Sequence, residues 1–140
     1  MATLPPPFIG IKETCIYASD LHAFRKFYEG TLRLECFSFR DGGHAFFRAG
    51  HSVLLCFDPK HSRDQQELPR HFASGEIHFA LETDRPGFDA WLSWLREQGV
   101  GLEHLHTWPG GFRSVYFRDP GRHCVEIIET GMWEYERNKP

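Results

Sequence analysis

The predicted order of strands and helices occurs twice along this chain. Residues 10–59 contain an alternating strand, an amphipathic helix and three more strands, and residues 75–130 contain the same βαβββ order. The two halves open on the alternating stretches "IKETCIYAS" and "EIHFALET". The segment between them, about residues 60–74, is polar, contains a proline and is predicted as a linker. This repeat predicts two similar modules within one α+β domain, with tails at residues 1–9 and 131–140.

Composition narrows the class of protein. The 140 residues suit one domain, and a hydrophobic share of 41% is enough for a core. A net charge of −3 without a basic block argues against a nucleic-acid partner. No apolar run approaches the roughly 18 residues that a membrane span needs. The N-terminus lacks the pattern of a secretory signal, so we expect a cytoplasmic protein whose four cysteines form no disulfides.

One carboxylate lies inside the apolar final strand of the second half. In the stretch "RHCVEIIE", Glu126 is flanked by apolar residues. A buried carboxylate without a partner is costly, so Glu126 should bind an arginine, a hydrogen-bond network or a metal ion. The equivalent position of the first half, counted from the glycine before each last strand, is Leu55. The fold therefore does not require a carboxylate here, which indicates a specific role for Glu126.

Strand alternation places Glu13 and His78, like Glu126, on strand faces that point away from the predicted core. Glu13, His78 and Glu126 all fall on strand faces that the predicted helices do not cover. One imidazole and two carboxylates suit a borderline or hard divalent cation, and three protein ligands leave positions for water and substrate. The alternatives are solvated or hydrogen-bonded side chains, with Glu126 paired to Arg113 or Arg118.

Three stretches resemble a known family. "YASDLHAFRKFYEGTLRLE", "IHFALETD" and above all "YFRDPGRHCVEI" are similar to the vicinal oxygen chelate superfamily of glyoxalases, bleomycin-resistance proteins, fosfomycin-resistance enzymes and extradiol dioxygenases. The resemblance covers roughly residues 10–130. It implies paired βαβββ modules that form a U-shaped mixed sheet around a cavity, in a homodimer. The family's ligand positions correspond to Glu13, Leu55, His78 and Glu126, and Leu55 cannot bind metal.

The resemblance implies a metal-dependent enzyme acting on a small substrate whose adjacent oxygens chelate the metal. Glu13, His78 and Glu126 would hold one Fe, Mn, Zn, Ni or Mg ion, and Glu13 or Glu126 would act as the catalytic base. Lyase or isomerase chemistry, ring cleavage by a dioxygenase and thiol addition remain open. The alternative is a metal-free binding protein of the bleomycin-resistance kind. Apolar, aromatic and arginine side chains predicted to contact the small molecule are Cys15, Tyr17, Phe57, Trp108, Arg113 and Tyr116.

Overall fold

The strands of the two halves form two separate four-stranded sheets. The structure is a computed structural model that describes residues 3–138, so the extreme ends of the predicted tails lie outside the described residues. The strands of the first half are β1 (Glu13–Tyr17), β2 (Glu35–Arg40), β3 (His44–Ala49) and β4 (Ser52–Phe57). Those of the second half are β5 (His78–Thr83), β6 (Leu102–Thr107), β7 (Arg113–Arg118) and β8 (Cys124–Glu129).

Both sheets have the same topology. The strand orders are β1-β4-β3-β2 and β5-β8-β7-β6. The first strand of each half pairs in parallel with the last, and the remaining pairs are antiparallel. The predicted α+β fold of two βαβββ modules is confirmed. Within one chain the mixed sheet is divided in two, and β1 and β5 each lie at an edge.

Helices connect the strands and follow the second module. They are α1 (Leu21–Arg25), which continues as a π-helix (Lys26–Thr31), then α2 (Pro59–Asp64), α3 (Arg85–Glu97) and α4 (Met132–Asn138). Helix α2 lies mostly within the predicted linker. It begins after Asp58, whose side chain caps the first turn by accepting from the Lys60 amide. Helix α4 lies in the predicted C-terminal tail. Between residues 3 and 138, none of the helices combines the length and apolarity that crossing a bilayer requires.

The two modules share one hydrophobic core on the helix side of both sheets. Tyr28 of the first module packs against Phe79 of the second, and Phe27 packs against Phe117. Alternate residues of β1, β3, β4, β5, β7 and β8 point into this core, whereas β2 and β6 each contain a register shift. Helices α1 and α3 pack on this side of the sheets. The opposite faces of the two sheets are called the open faces. The candidate functional residues lie on those open faces.

The motif "RDPGRHC" forms a turn that ties the first helix to the last strand. The buried carboxylate of Asp119 accepts four hydrogen bonds, from the Tyr28 hydroxyl at 2.7 Å, the Gly121 amide at 2.9 Å, and the His123 amide and Nδ1 at 2.9 and 2.7 Å. A Cβ on Gly121 would approach the Phe24 ring to 2.7 Å, so glycine is required by close packing. This motif therefore has a structural role and holds Glu126 only indirectly, by fixing the start of β8.

Candidate metal and substrate site

His78 and Glu126 form a close pair on the open face of the second sheet. Strands β5 and β8 run in parallel, with His78 opposite Cys124 and Ala80 opposite Glu126. This register brings His78 Nε2 to 3.2 Å from Glu126 Oε1. Glu126 is 6% exposed, whereas the His78 side chain is half exposed. The pair thus joins a buried carboxylate to an imidazole that solvent and ligands can reach.

The hydrogen bonds of His78 define which nitrogen faces the carboxylate. Nδ1 lies 2.8 Å from the carbonyl oxygen of Cys124, so Nδ1 carries a hydrogen and donates it. In the neutral imidazole, Nε2 then presents a lone pair to Glu126 Oε1. Facing lone pairs need a cation between them, either a proton or a metal ion. Two atoms 3.2 Å apart can both reach one ion at bond lengths of about 2.0–2.2 Å, so the donor pair fits a divalent metal.

The second oxygen of Glu126 is held by a serine that the sequence did not single out. Ser114 Oγ donates to Glu126 Oε2 at 2.5 Å, and Trp108 Nε1 donates to Ser114 Oγ at 2.8 Å. Ser114 is fully buried. The partner of the buried carboxylate is therefore a hydrogen-bond network together with His78. Ser114 was missed because its proximity to Glu126 depends on the register of β7 against β8, which the sequence pattern does not give.

Tyr116 completes the surroundings of the pair. It lies directly opposite Glu126 in the β7–β8 pairing, and its ring stacks on His78 with centroids 6.1 Å apart. Burial and then the nearby Glu126 carboxylate raise the pKa of Tyr116 above its ordinary value. The phenol therefore keeps its proton at neutral pH, and its hydroxyl lies close to Glu126 and Ser114. Among the predicted substrate residues, Tyr116 and Trp108 are those near the pair.

The structure places Arg113 on the opposite face from this pair, which corrects its predicted position at the substrate site. Its guanidinium binds Glu129 at 2.6–2.7 Å and Asp89 at 2.8 Å, and lies over the Phe88 ring. The cause is strand alternation: Ser114 points to the open face, so its neighbour Arg113 points to the helix side. The alternative partner Arg118 binds Glu103 at 2.8 Å instead. Neither arginine is therefore the partner of Glu126.

Glu13 lies in the other sheet, exposed on edge strand β1. Within residues 3–138 of one chain, the structure contains no cluster of three or more histidine, cysteine, aspartate or glutamate side chains suited to a metal. The single chain thus brings His78 and Glu126 together but not Glu13. The three-ligand set remains a prediction. Leu55, at the fourth position, is 8% exposed and apolar.

The remaining predicted residues form an aromatic surface on the open face of the first sheet. Tyr17 and Phe57 have ring centroids 6.4 Å apart, and both contact His71 from the predicted linker. The Tyr17 hydroxyl lies 2.8 Å from His71 Nδ1. Cys15 lies on the same face, where burial and then Glu13 raise the pKa of its thiol. These side chains can bind an apolar or planar group, but in one chain they face a different sheet from His78.

The fold agrees with a family match over most of the chain. The model of the Glyoxalase/Bleomycin resistance protein/Dioxygenase superfamily matches residues 10–127. The chain belongs to this superfamily, and its resemblance to the vicinal oxygen chelate proteins is confirmed.

Particular relatives are enzymes by name. The crystal structure of lactoylglutathione lyase from Agrobacterium tumefaciens is 37% identical, with a TM-score of 0.87, and covers 91% of this chain and 98% of that one. Metallothiol transferase FosB from Staphylococcus epidermidis is 26% identical over 121 residues, which is 84% of this chain and 79% of that protein. An integron cassette protein from V. cholerae, at 20% identity and a TM-score of 0.72, shares the fold.

Proposed function

We propose that this protein is a metal-dependent enzyme that acts on a small oxygen-bearing substrate. The observation that carries the proposal is the His78–Glu126 pair, in which Nδ1 is committed to a backbone carbonyl and Nε2 faces a carboxylate oxygen at 3.2 Å. The names of the lactoylglutathione lyase and metallothiol transferase relatives support lyase or group-transfer chemistry ahead of ring cleavage.

Different residues of the chain have different roles at such a site. His78 Nε2 and Glu126 Oε1 would hold the metal, and a bound divalent ion would act as a Lewis acid on a substrate oxygen. Glu126 Oε2 is already bound by Ser114, so Glu13 is the freer of the two predicted catalytic carboxylates. We assign Glu13 as the third ligand or the base. We assign Tyr116 as a substrate contact, because its ring stacks on His78 beside the proposed metal ligands.

We further propose that a second copy of the chain completes the site. Glu13 is exposed on edge strand β1 and His78 on edge strand β5, in separate sheets. Sheet edges with unpaired backbone groups are sites of further strand association. If β1 of one copy lies beside β5 of another, Glu13 and the aromatic surface of one chain face the His78–Glu126 pair of the other. A homodimer of this kind has two equivalent sites. A monomer in light scattering would contradict this arrangement.

Metal content tests the first part of the proposal. Protein purified without a chelating tag should contain about one Fe, Mn, Zn or Ni per chain by plasma mass spectrometry, or bind added Mg or Mn. Glu126→Ala and His78→Ala should each lose it. Glu97→Gln, an exposed carboxylate at the end of α3, is the matched control and should retain it. Wild-type protein that holds no metal after incubation with each of these ions would contradict the proposal.

Mixed dimers test whether the site is shared. Homodimers of Glu13→Ala and of Glu126→Ala each carry two damaged sites. Co-expression of the two variants with different tags yields a heterodimer. A shared site combines both substitutions in one site and leaves the other intact, so the heterodimer should regain half of the wild-type metal. A site within one chain would leave both sites damaged and restore nothing.

A second candidate is metal-free binding of a small molecule. It is favoured by the aromatic surface of Tyr17, Phe57 and His71, and by the apolar Leu55 at the fourth ligand position. In this case the cation between His78 and Glu126 is a proton. Tight binding of an aromatic ligand by metal-free protein, lost in Phe57→Ala but kept in Glu126→Gln, would favour this function.

A further inference from the structure

We propose that Ser114 and Trp108 are positioning residues that leave one oxygen of Glu126 directed at the ligand site; this role rests on the proposed metal-dependent function. The two residues form a chain of hydrogen bonds that ends on the carboxylate. Trp108 Nε1 lies 2.8 Å from Ser114 Oγ, which lies 2.5 Å from Glu126 Oε2. Glu126 Oε1 lies at the other end of the chain, 3.2 Å from His78 Nε2.

The direction of each hydrogen bond is determined by the groups involved. An indole N–H can only donate, so Ser114 Oγ accepts from Trp108. The serine hydroxyl has a single hydrogen, and it is donated to Glu126 Oε2. Oε2 is therefore an acceptor that is already bound, and its carboxylate cannot rotate without breaking this contact. Oε1 remains as the oxygen that faces His78.

The local fold explains why these two side chains meet. Ser114 and Glu126 point to the same open face of neighbouring strands β7 and β8. Trp108 follows β6 and begins a tight turn, in which its amide donates to the Phe112 carbonyl and its carbonyl accepts from the Gly111 amide. Gly110 and Gly111 have φ values of +88° and +85°, which glycine adopts readily. The turn returns the chain into β7 so that the indole of Trp108 lies against Ser114.

Groups that hydrogen-bond to metal ligands commonly change metal affinity by about 10–100-fold when removed. Ser114→Ala frees Oε2 and lets the carboxylate rotate or bind through both oxygens. We expect this variant to bind Zn²⁺ or Mn²⁺ about 10–100-fold more weakly. Trp108→Phe keeps the ring but removes the N–H, and should weaken binding less. The double variant should be no weaker than Ser114→Ala alone, because both substitutions break the same chain.

The experiment combines metal titration with nuclear magnetic resonance of the metal-free protein. Dissociation constants are measured by chelator competition for wild type, Ser114→Ala, Ser114→Thr and Trp108→Phe. Ser114→Thr retains the hydroxyl and should keep an affinity closer to wild type than Ser114→Ala does. The indole N–H resonance of Trp108, assigned by its loss in Trp108→Phe, should shift in both Ser114→Ala and Glu126→Gln. Trp133→Phe, at an exposed position of α4, is the control and should alter neither quantity.

The outcomes separate this inference from the proposed function. Wild type and Ser114→Ala could both bind the metal tightly, with dissociation constants within twofold of each other. This result would overturn the positioning role and leave the enzyme proposal intact. An indole resonance that does not respond to Ser114→Ala would also overturn it. Absence of metal binding by wild type, with a responsive indole resonance, would overturn the proposed function and the metal-directed role with it, while the hydrogen-bond chain itself would stand.

Discussion

Replacing Asp119 should destabilise the protein more than any single change on its open faces. Asp119 is 4% exposed, and its carboxylate accepts hydrogen bonds from Tyr28, Gly121 and two groups of His123. Asp119→Ala removes all four acceptor contacts at once. Two of the donors belong to the side chains of Tyr28 and His123, which are 0% and 1% exposed, so water cannot easily replace the lost partner.

The magnitude follows from the number and burial of these donors. A hydrogen bond to a charged group contributes about 1.5–3 kcal/mol, but contributions within one network do not add. Breaking a buried polar network by removing its charged member costs about 3–5 kcal/mol, and we expect this loss for Asp119→Ala. Tyr28→Phe removes one of the four contacts and should cost about 1.5–2 kcal/mol. Since domains of this size have a total stability of about 5–15 kcal/mol, the first loss is a large share.

Urea unfolding followed by circular dichroism measures both losses. All variants are compared at one protein concentration, because a dimer's stability depends on concentration. Asp119→Asn should lie between the other two, since the amide oxygen still accepts from the backbone and the histidine can change tautomer. An Asp119→Ala loss no larger than that of Tyr28→Phe would refute the network argument.

Three other predictions concern the packing and the two faces of the second sheet. Gly121→Ala should cost about 1–3 kcal/mol in urea unfolding, because the new Cβ meets an aromatic ring, whereas Gly101→Ala, with open space, should change stability by less than about 0.5 kcal/mol. Arg113→Ala should lower the unfolding midpoint by leaving the buried Glu129 poorly paired, yet leave metal content unchanged; loss of metal from the folded variant would contradict its placement on the helix side. Tyr116 should titrate above its ordinary pKa of 10.0 in the ultraviolet difference between wild type and Tyr116→Phe. Its raised pKa stabilises the fold fully below pH 10, and this contribution should be lost as the pH rises from 10 towards the folded value.

The module repeat could be predicted from the sequence because strands and helices have different periods of apolar residues. These two patterns follow each other in the same order in both halves of the chain. Phe79 and Leu81 pack against the core as their alternation in β5 indicates, which leaves His78 on the other face. The same rule, applied to β7, assigns Arg113 to the helix side with Val115 and Phe117. The alternation rule alone therefore places Arg113 away from His78 and Glu126.

Other features of the site required the structure. Alternation shows that Ser114 and Glu126 can share a face, but only strand order and register show that they are neighbours. Likewise, the sequence places Glu13, His78 and Glu126 on open faces without stating which sheet each belongs to. The division into two sheets separates Glu13 from the pair within one chain, and no local pattern contains that information.

The separation of Glu13 from His78 and Glu126 assigns a function to the edge strands only under the proposed shared site. The orientations of Glu126 and His78 are fixed without a ligand. Ser114 holds the second oxygen of Glu126, and a backbone carbonyl holds Nδ1 of His78. The missing third donor cannot come from Leu55, because its side chain is apolar. Under the proposed function, the exposed Glu13 on a strand edge is the donor that a second copy would supply. Metal binding and dimer formation should therefore be coupled: dilution to the monomer should weaken metal affinity, and added metal should favour the dimer.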